Sequence, residues 1–177
     1  MGKSLEQVGF DLTPFYGNAG GQVGDVGYIE KANERIAIVA TEKENGLTVH
    51  VAAQLPENPA ADFIAVVDEE KRQAAANNHT ATHLMHAALR KVLGTHVEQK
   101  GSLVTPEHLR FDFSHFQKVT PEELRAVERL VNRAIRANYP LEEKRDATIE
   151  EAKKAGAMML SGEQYGDRER MVRFGEW

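Results

Sequence analysis

The first part of the chain alternates short apolar runs with turn-forming residues. Runs rich in β-branched residues lie at positions 28–29, 35–40 and 47–51. Clusters of Gly, Asn, Asp and Pro separate these runs, and Asn45-Gly46 stands between the last two. An Asn-Gly pair in that place is a strong signal for a two-residue hairpin turn. The pattern predicts short antiparallel strands, arranged as a small barrel or sandwich, from residue 1 to about residue 70.

Near Asp68 the spacing of apolar positions changes to a helical period. The pattern predicts one helix from Glu69 to Leu93, with Gly94 placed to end it. Further on, positions 109–114 alternate apolar and polar residues, which predicts a half-exposed strand. The helical stripe consists of Ala81, Leu84, Met85, Ala88, Leu89 and Val92.

Three more elements are predicted in the last third of the chain. In Thr120-Pro121-Glu122-Glu123, a capping threonine, a proline at the first helical position and a glutamate that can complete a capping box predict a helix start. That helix ends before Pro140. Thr148-Ile149-Glu150-Glu151 opens a second, short helix that Gly156 ends, and positions 171–174 form a last strand.

These elements predict an α+β fold in two parts. Residues 1–70 form a glycine-rich small β-barrel, and residues 71–177 form an α+β core with helices on an antiparallel sheet. The sequence around residue 70 has no flexible composition, so we expect the two parts to pack as a unit.

Composition narrows the class of protein. The chain has no cysteine, which excludes a disulfide framework and a metal site built on its own thiolates. No apolar run approaches the roughly 20 residues that span a bilayer, and the first residues lack a secretory signal, so a cytoplasmic protein without a membrane partner is expected. The net charge of −5 does not by itself suggest a nucleic acid. Arginines at positions 168–173 form either a basic patch or a salt-bridged surface.

His79 and His83 are the first candidates for chemistry. A spacing of four on a helix puts two imidazoles on one face, one turn apart, where they can bind one Zn²⁺. The pair lacks the glutamate of His-Glu-x-x-His, and two ligands do not complete a zinc site. His86, three residues on, is a third ligand, a group supporting the ligands, or a surface histidine.

The glycine-rich segment at positions 13–25 is a second candidate. It lacks the Gly-Lys-Ser/Thr ending of a phosphate loop. Its glycines serve either tight turns or a backbone surface that contacts a ligand or nucleic acid. Gln99 offers an amide that donates and accepts, and alone it indicates nothing.

Taken together, several strings resemble the editing domain of alanyl-tRNA synthetase, in order and spacing along nearly the whole chain. The Phe-Asp-Phe-Ser-His string favours a bacterial alanyl enzyme over the related free-standing editing proteins and the threonyl-tRNA synthetase editing domain. The strings are Leu12-Thr13-Pro14-Phe15-Tyr16 with the following Gly-Gly-Gln-x-Gly-Asp, Asn78-His79-Thr80-Ala81-Thr82-His83-Leu84-Met85-His86-Ala87-Ala88-Leu89, Gln99-Lys100-Gly101-Ser102-Leu103-Val104, Leu109-Arg110-Phe111-Asp112-Phe113-Ser114-His115, Gly156-Ala157-Met158-Met159-Leu160 and Gly162-Glu163-Gln164-Tyr165-Gly166-Asp167.

The resemblance implies an activity and its residues. The family hydrolyses the ester of tRNA(Ala) wrongly charged with serine or glycine, and the parent synthetase ligates alanine to tRNA(Ala) with ATP. Carried over, His79 and His83 bind zinc. Gln99 lies near the aminoacyl group, and Thr80 and Thr82 face the pocket. The acceptor end of tRNA(Ala) and the rest of the synthetase chain are the implied partners.

One feature of the family is missing from this sequence. Its zinc site is completed by a Cys-x-x-x-His that follows shortly after the Phe174-Gly175 region, and no such motif occurs here. We therefore expect a piece of a longer synthetase with an incomplete metal site, which zinc does not stabilise. Two alternatives to an editing hydrolase stay open: a non-catalytic module that binds the tRNA acceptor end, and an inactive structural fragment.

Overall fold

The computed structural model describes residues 5–158 and 166–175. The two strings of the resemblance between positions 156 and 167 fall partly at 159–165, outside the described residues. By its internal contacts the chain divides into two compact units, Met1–Thr80 with Ser102–Arg110, and Ala81–Gly101 with Phe111–Trp177. This division does not test the predicted domain boundary near residue 70, which stays a prediction.

The first unit is built on an antiparallel five-stranded sheet with the spatial order β1-β4-β3-β2-β5. The three strands predicted from β-branched runs are confirmed as β2, β3 and β4, and the α+β class is confirmed with them. Closure of this sheet into a barrel stays a prediction. The strands are β1 (Glu6–Gly9), β2 (Gly27–Lys31), β3 (Glu34–Glu44), β4 (Leu47–Ala52) and β5 (Ile64–Val67).

The predicted Asn-Gly hairpin joins β3 to β4. Asn45 and Gly46 both adopt the left-handed conformation, with φ of 50° and 81°, and Glu44 pairs directly with Leu47. Two successive residues of positive φ give the turn whose twist matches that of antiparallel strands. The register set by this turn carries Ile36 and Ile38 of β3 to one face, where each is 1% exposed. They pack with Phe15, Ile29 and Ala52 as the core of the first unit.

Helix α1 (Glu69–Leu93) has the predicted bounds. Asp68 caps its start, because the Asp68 carboxylate accepts from the Lys71 amide at 3.0 Å. Gly94 follows its last residue and donates its amide to Arg90 at 3.1 Å. Residues 69–80 of the helix belong to the first unit and residues 81–93 to the second.

A two-stranded hairpin follows α1. It consists of β6 (Gln99–Val104) and β7 (Leu109–Phe113). The strand predicted at 109–114 is confirmed as β7, whereas β6 was not predicted. Its tip, Ser102–Arg110, lies in the first unit, and its two ends belong to the second.

Both helix starts predicted in the last third of the chain have a capping box, and the one at Thr120 was predicted as such. In α2 (Pro121–Ala137) and α3 (Ile149–Lys154), Thr120 and Thr148 accept from the third helical amide, and Glu123 and Glu151 accept from the cap amide in return. Residues of α1, β7 and α2 form the core of the second unit. Its members include Ala88, Leu89, Val97, Val127, Phe111, Phe113, Leu130 and Val131.

A second antiparallel pair consists of β8 (Leu141–Thr148) and β9 (Arg168–Phe174). The predicted last strand is confirmed within β9. Two arginines of β9, predicted to lie in either a basic patch or a salt-bridged surface, form ion pairs. Arg168 pairs with Asp146 at 2.5 Å and Arg170 with Glu143 at 2.6 Å. These arginines therefore belong to a salt-bridged surface.

Among the described residues, no helix is both long and apolar enough to cross a bilayer.

Candidate functional site

His79 and His83 lie one turn apart on α1, as the spacing predicts. The boundary between the two compact units falls after Thr80, so His79 is described with the first unit and His83 with the second. His79 is half-buried and His83 is exposed.

The ring of His79 is oriented by Gln22. Its Nδ1 lies 2.9 Å from the side-chain oxygen of Gln22, and because an amide oxygen only accepts, Nδ1 carries the proton. The lone pair of the neutral ring is then on Nε2. A hydrogen bond of this kind on the far nitrogen is how proteins fix the tautomer of a metal-binding histidine. Gln22 is 8% exposed, so the contact is protected from water.

Gln22 is held in turn by a tight turn in the glycine-rich segment. Ala19 and Gln22 exchange two backbone hydrogen bonds of 3.1 and 3.0 Å, and between them Gly20 and Gly21 have φ of 58° and 79°. The amide and carbonyl of Val104 on β6 bond to the carbonyl of Gly21 and the amide of Val23. The turn thus delivers the Gln22 side chain to His79 from a fixed backbone.

Close packing explains a further glycine of the same segment. A Cβ built on Gly24 would lie 1.8 Å from the carbonyl oxygen of Thr41 on β3. No side chain fits there without moving the strand. At Gly20, Gly21 and Gly24 the structure therefore supports the interpretation of tight turns and close backbone approach.

An ion pair anchors the end of this segment to α1. Asp25, whose side chain is 3% exposed, accepts from Nε and Nη2 of Arg72 and from the amide of Tyr16. Arg72 also donates to the carbonyl oxygen of Pro14 at 2.5 Å. Burial, and then the nearby Asp25 carboxylate, raise the pKa of Tyr16. The arrangement ties the segment and the first turns of α1 into one rigid piece.

The other predicted site residues differ in exposure. Thr80 of the first unit is half-buried. In the second unit, Thr82 is 4% exposed and Gln99, the first residue of β6, is half-buried. Their predicted roles toward a substrate stay predictions.

His86 is not a surface histidine. It is 6% exposed, and its ring packs against Phe111 at 5.2 Å. Burial is the main cause that lowers its pKa, and a hydrogen bond to the Val97 backbone opposes that shift. The Nε2 atom is buried with no partner among the described residues. Of the three alternatives for His86, the surface one is wrong.

The role of His79 and His83 as zinc ligands stays a prediction. Imidazole nitrogens suit Zn²⁺, and the Gln22 contact orients the ring of His79. However, nowhere in 5–158 or 166–175 do three or more His, Asp or Glu side chains come together as a metal site. A tetrahedral site is not completed by these residues.

Two cavities lie in the first unit, of about 360 and 490 Å³. Their walls share Val26, Val39 and Lys71, and neither wall includes His79 or Thr80. The candidate histidine of this unit therefore lies outside both.

Gln22, Asp25 and Arg72 were not singled out from the sequence as functional residues. Gln22 and Asp25 stand in the quoted Gly-Gly-Gln-x-Gly-Asp string, so that string was a signal for them. No sequence signal pointed to Arg72, because an arginine in a helix does not indicate a carboxylate partner 47 residues away.

Comparison with known proteins shows which proteins the chain is similar to. A family model described as tRNA synthetases class II (A) matches residues 2–72. An alanine–tRNA ligase of Bacteroides fragilis is 59% identical over 173 residues, those of Bacteroides thetaiotaomicron and Porphyromonas gingivalis are 58% and 53% identical, and each alignment covers 98% of this chain. The chain is a homologue of one segment of the alanine–tRNA ligases. It spans about 20% of the length of these relatives. Both the resemblance seen in the sequence and the alignments to alanine–tRNA ligases extend over nearly all of the chain.

Proposed function

We propose that this chain is the editing module of an alanyl-tRNA synthetase, which hydrolyses the ester of tRNA(Ala) charged with serine or glycine. The observation that carries the proposal is the His-Thr-Ala-Thr-His string on α1, with His79 oriented by Gln22 at 2.9 Å, in a chain homologous to alanine–tRNA ligases. The proposed partners are the acceptor end of tRNA(Ala) and the rest of a synthetase that ligates alanine to tRNA(Ala) with ATP. In the same proposal, the sheet of the first unit closes into a small barrel.

In this proposal each residue has a limited task. His79 and His83 are two ligands of a Zn²⁺ whose remaining ligands lie outside the described residues, and when bound the ion supplies Lewis acidity or orients the ester. Gln22 orients the ring of His79. Gln99 positions the aminoacyl group through its amide, and Thr80 and Thr82 line the pocket. A pocket that hydrogen-bonds the serine hydroxyl favours serine over alanine, which lacks that hydroxyl, and the acceptance of glycine does not rest on this contact.

The test is hydrolysis of seryl-tRNA(Ala). We compare this chain, the chain continued through a Cys-x-x-x-His segment as the family implies, and buffer. We expect the continued chain to release serine faster than buffer, and we expect His79→Gln and His83→Gln to abolish the difference. Arg133→Gln, which removes an exposed charge of α2, serves as the control. If the continued chain releases serine no faster than buffer, the proposal is wrong.

One observation favours a second candidate for the chain by itself. The described residues contain no group of three metal ligands, which suits a module that binds the tRNA acceptor end without turnover. This alternative predicts salt-sensitive binding of uncharged tRNA(Ala) with no release of serine from the charged form. Absence of binding at low salt would exclude it.

A further inference from the structure

The segment that leads into β6 is held to α1 through one buried carbonyl group. Nη1 of Arg90 donates to the carbonyl oxygen of Val97 at 2.8 Å, and His86 makes a second hydrogen bond to the Val97 backbone. Val97 is fully buried. Since a buried carbonyl has two lone pairs, both donors can bind it at once, and together they fix the backbone two residues before Gln99.

The protonation of His86 follows from its partners. Nε2 is buried and has no partner among the described residues, so the bond to Val97 runs through Nδ1. A carbonyl oxygen only accepts, which places the proton on Nδ1 of a neutral ring. The Phe111 ring, 5.2 Å away, limits the movement of the imidazole. His86 is therefore a rigid donor aimed at Val97.

Glu98, which follows Val97, is hydrogen-bonded to Ser114 at the end of the hairpin. The carbonyl of Glu98 accepts from the amide of Ser114 at 3.0 Å, and the amide of Glu98 donates to the Ser114 hydroxyl at 3.3 Å. The backbone that precedes Gln99 is thus held by α1 at Val97 and by the end of the hairpin at Glu98. Both donors to Val97 are side chains of α1, so single substitutions can remove them one at a time.

We propose that His86 and Arg90 are positioning residues, which fix the Val97 carbonyl and thereby place Gln99 for its work on the aminoacyl group. The role of Gln99 rests on the proposed function, whereas the placement of Gln99 by His86 and Arg90 does not. Neither residue touches the reacting atoms in this proposal. Both act through two residues of backbone.

The variants are chosen to separate the two nitrogens of His86. His86→Asn places an amide donor near the position of Nδ1, so it keeps the bond to Val97. His86→Gln places its amide near the position of Nε2 and loses that bond. Arg90→Met removes the second donor and keeps the length of the side chain, and Arg133→Gln on α2 is the control.

The first measurement is hydrogen exchange at the backbone amides of Glu98 and Gln99 in this 177-residue chain. We expect His86→Gln and Arg90→Met to speed exchange there about tenfold relative to the amides of α2, because each loses one hydrogen bond. His86→Asn and Arg133→Gln should match the unchanged chain. Equal exchange in all variants, or an increase in His86→Asn as large as in His86→Gln, would overturn the proposal. If His86→Gln does not fold, Arg90→Met decides by the same criterion.

The second measurement is the kinetics of seryl-tRNA(Ala) hydrolysis. The protein assayed is whichever of this chain and the chain continued through a Cys-x-x-x-His segment hydrolyses the ester. A displacement of about 1 Å can reduce a rate by about 10²-fold. His86→Gln and Arg90→Met should therefore lower kcat by about 10- to 100-fold with little change in KM. His86→Asn, which keeps the bond to Val97, should have the kcat of the unchanged protein. If Gln99→Ala lowers kcat while His86→Gln and Arg90→Met do not, the positioning role is wrong although the editing function stands. If no form hydrolyses the ester, the editing function fails, and the exchange measurement still decides whether His86 and Arg90 fix this backbone.

Discussion

At the scale of single residues, Thr13 and His50 form a hydrogen-bonded chain of fixed direction. The amide of Phe15 donates to Thr13 Oγ1 at 3.1 Å, and the Thr13 hydroxyl donates to His50 Nε2 at 2.7 Å. His50 Nδ1 donates to the carbonyl oxygen of Val8 at 3.1 Å. His50 is fully buried between the edges of Phe10 and Phe15. A neutral ring satisfies every contact, which gives the Leu-Thr-Pro-Phe-Tyr string a structural purpose.

The hydrogen bonds of the neutral His50 ring predict that the stability of the chain depends on pH. Burial lowers the pKa of His50 below its ordinary value of 6.5, so the stabilisation from the neutral ring is present above pH 6.5 and is lost as the pH falls through the folded pKa. The free energy of unfolding should therefore fall between pH 7.5 and pH 5, by at most about 1.4 kcal/mol per pH unit from this group. Urea titrations of the chain and of His50→Gln measure it.

We expect His50→Gln to be less stable at pH 7.5 and to lose less of its stability on acidification. Some dependence should remain, because burial also lowers the pKa of His86. An identical slope in both proteins would contradict the assignment to His50.

The same scale shows where the sequence sufficed and where it did not. The spacing of His79 and His83 was readable because it depends only on the geometry of one helix. The contact between Gln22 and His79 joins residues 57 positions apart, and it exists only because the turn at Gly20 and Gly21 is bonded to β6. A single sequence contains no local pattern from which such a contact follows.

At the scale of elements, local chemistry predicted most boundaries. The capping boxes at Thr120 and Thr148 and the turn at Asn45-Gly46 each involve residues within three positions of one another. The strand β8 was missed because its first six residues are exposed and five of them are charged, so it shows no apolar alternation. It exists by pairing with β9, and that pairing is a tertiary property.

A prediction at this scale concerns the approach of the glycine-rich segment to β3. Gly24→Ala should reduce the free energy of unfolding by about 3 kcal/mol or more, since its Cβ would lie 1.8 Å from the Thr41 carbonyl oxygen and backbone must move. Gly9→Ala is a matched control, because a Cβ there meets nothing within 4 Å. It should change stability by no more than about 0.5 kcal/mol. Chemical denaturation of both variants measures the difference, and similar losses would show that the close approach is not what requires Gly24.

At the scale of the whole molecule, charge and metal content bear on the proposed function together. The chain has 22 basic and 27 acidic residues, and two arginines of the 168–173 stretch pair with carboxylates. In the proposed function, a general attraction to tRNA would therefore be weak, and recognition would come from local contacts. The sequence predicted the excess of acidic over basic residues from counts alone. It could not predict which cations are already paired, because the partners Asp146 and Glu143 lie 22 and 27 residues from their arginines.

The last prediction concerns zinc and has two histidine pairs to separate. Besides His79 and His83, Nε2 of His96 lies 2.8 Å from Nδ1 of His115, and the two ring planes differ by 18°. Since no group of three ligands exists among the described residues, we expect zinc in slight molar excess to change the melting temperature of the 177-residue chain by less than about 1 °C. A ligand raises the melting temperature only if it binds the folded state at the concentration used, and for a chain of this size about 1 kcal/mol corresponds to roughly 2–4 °C. A rise of several degrees that disappears in His83→Gln and persists in His96→Gln would show that the pair on α1 recruits further ligands by itself, whereas the reverse pattern would place the zinc at His96 and His115.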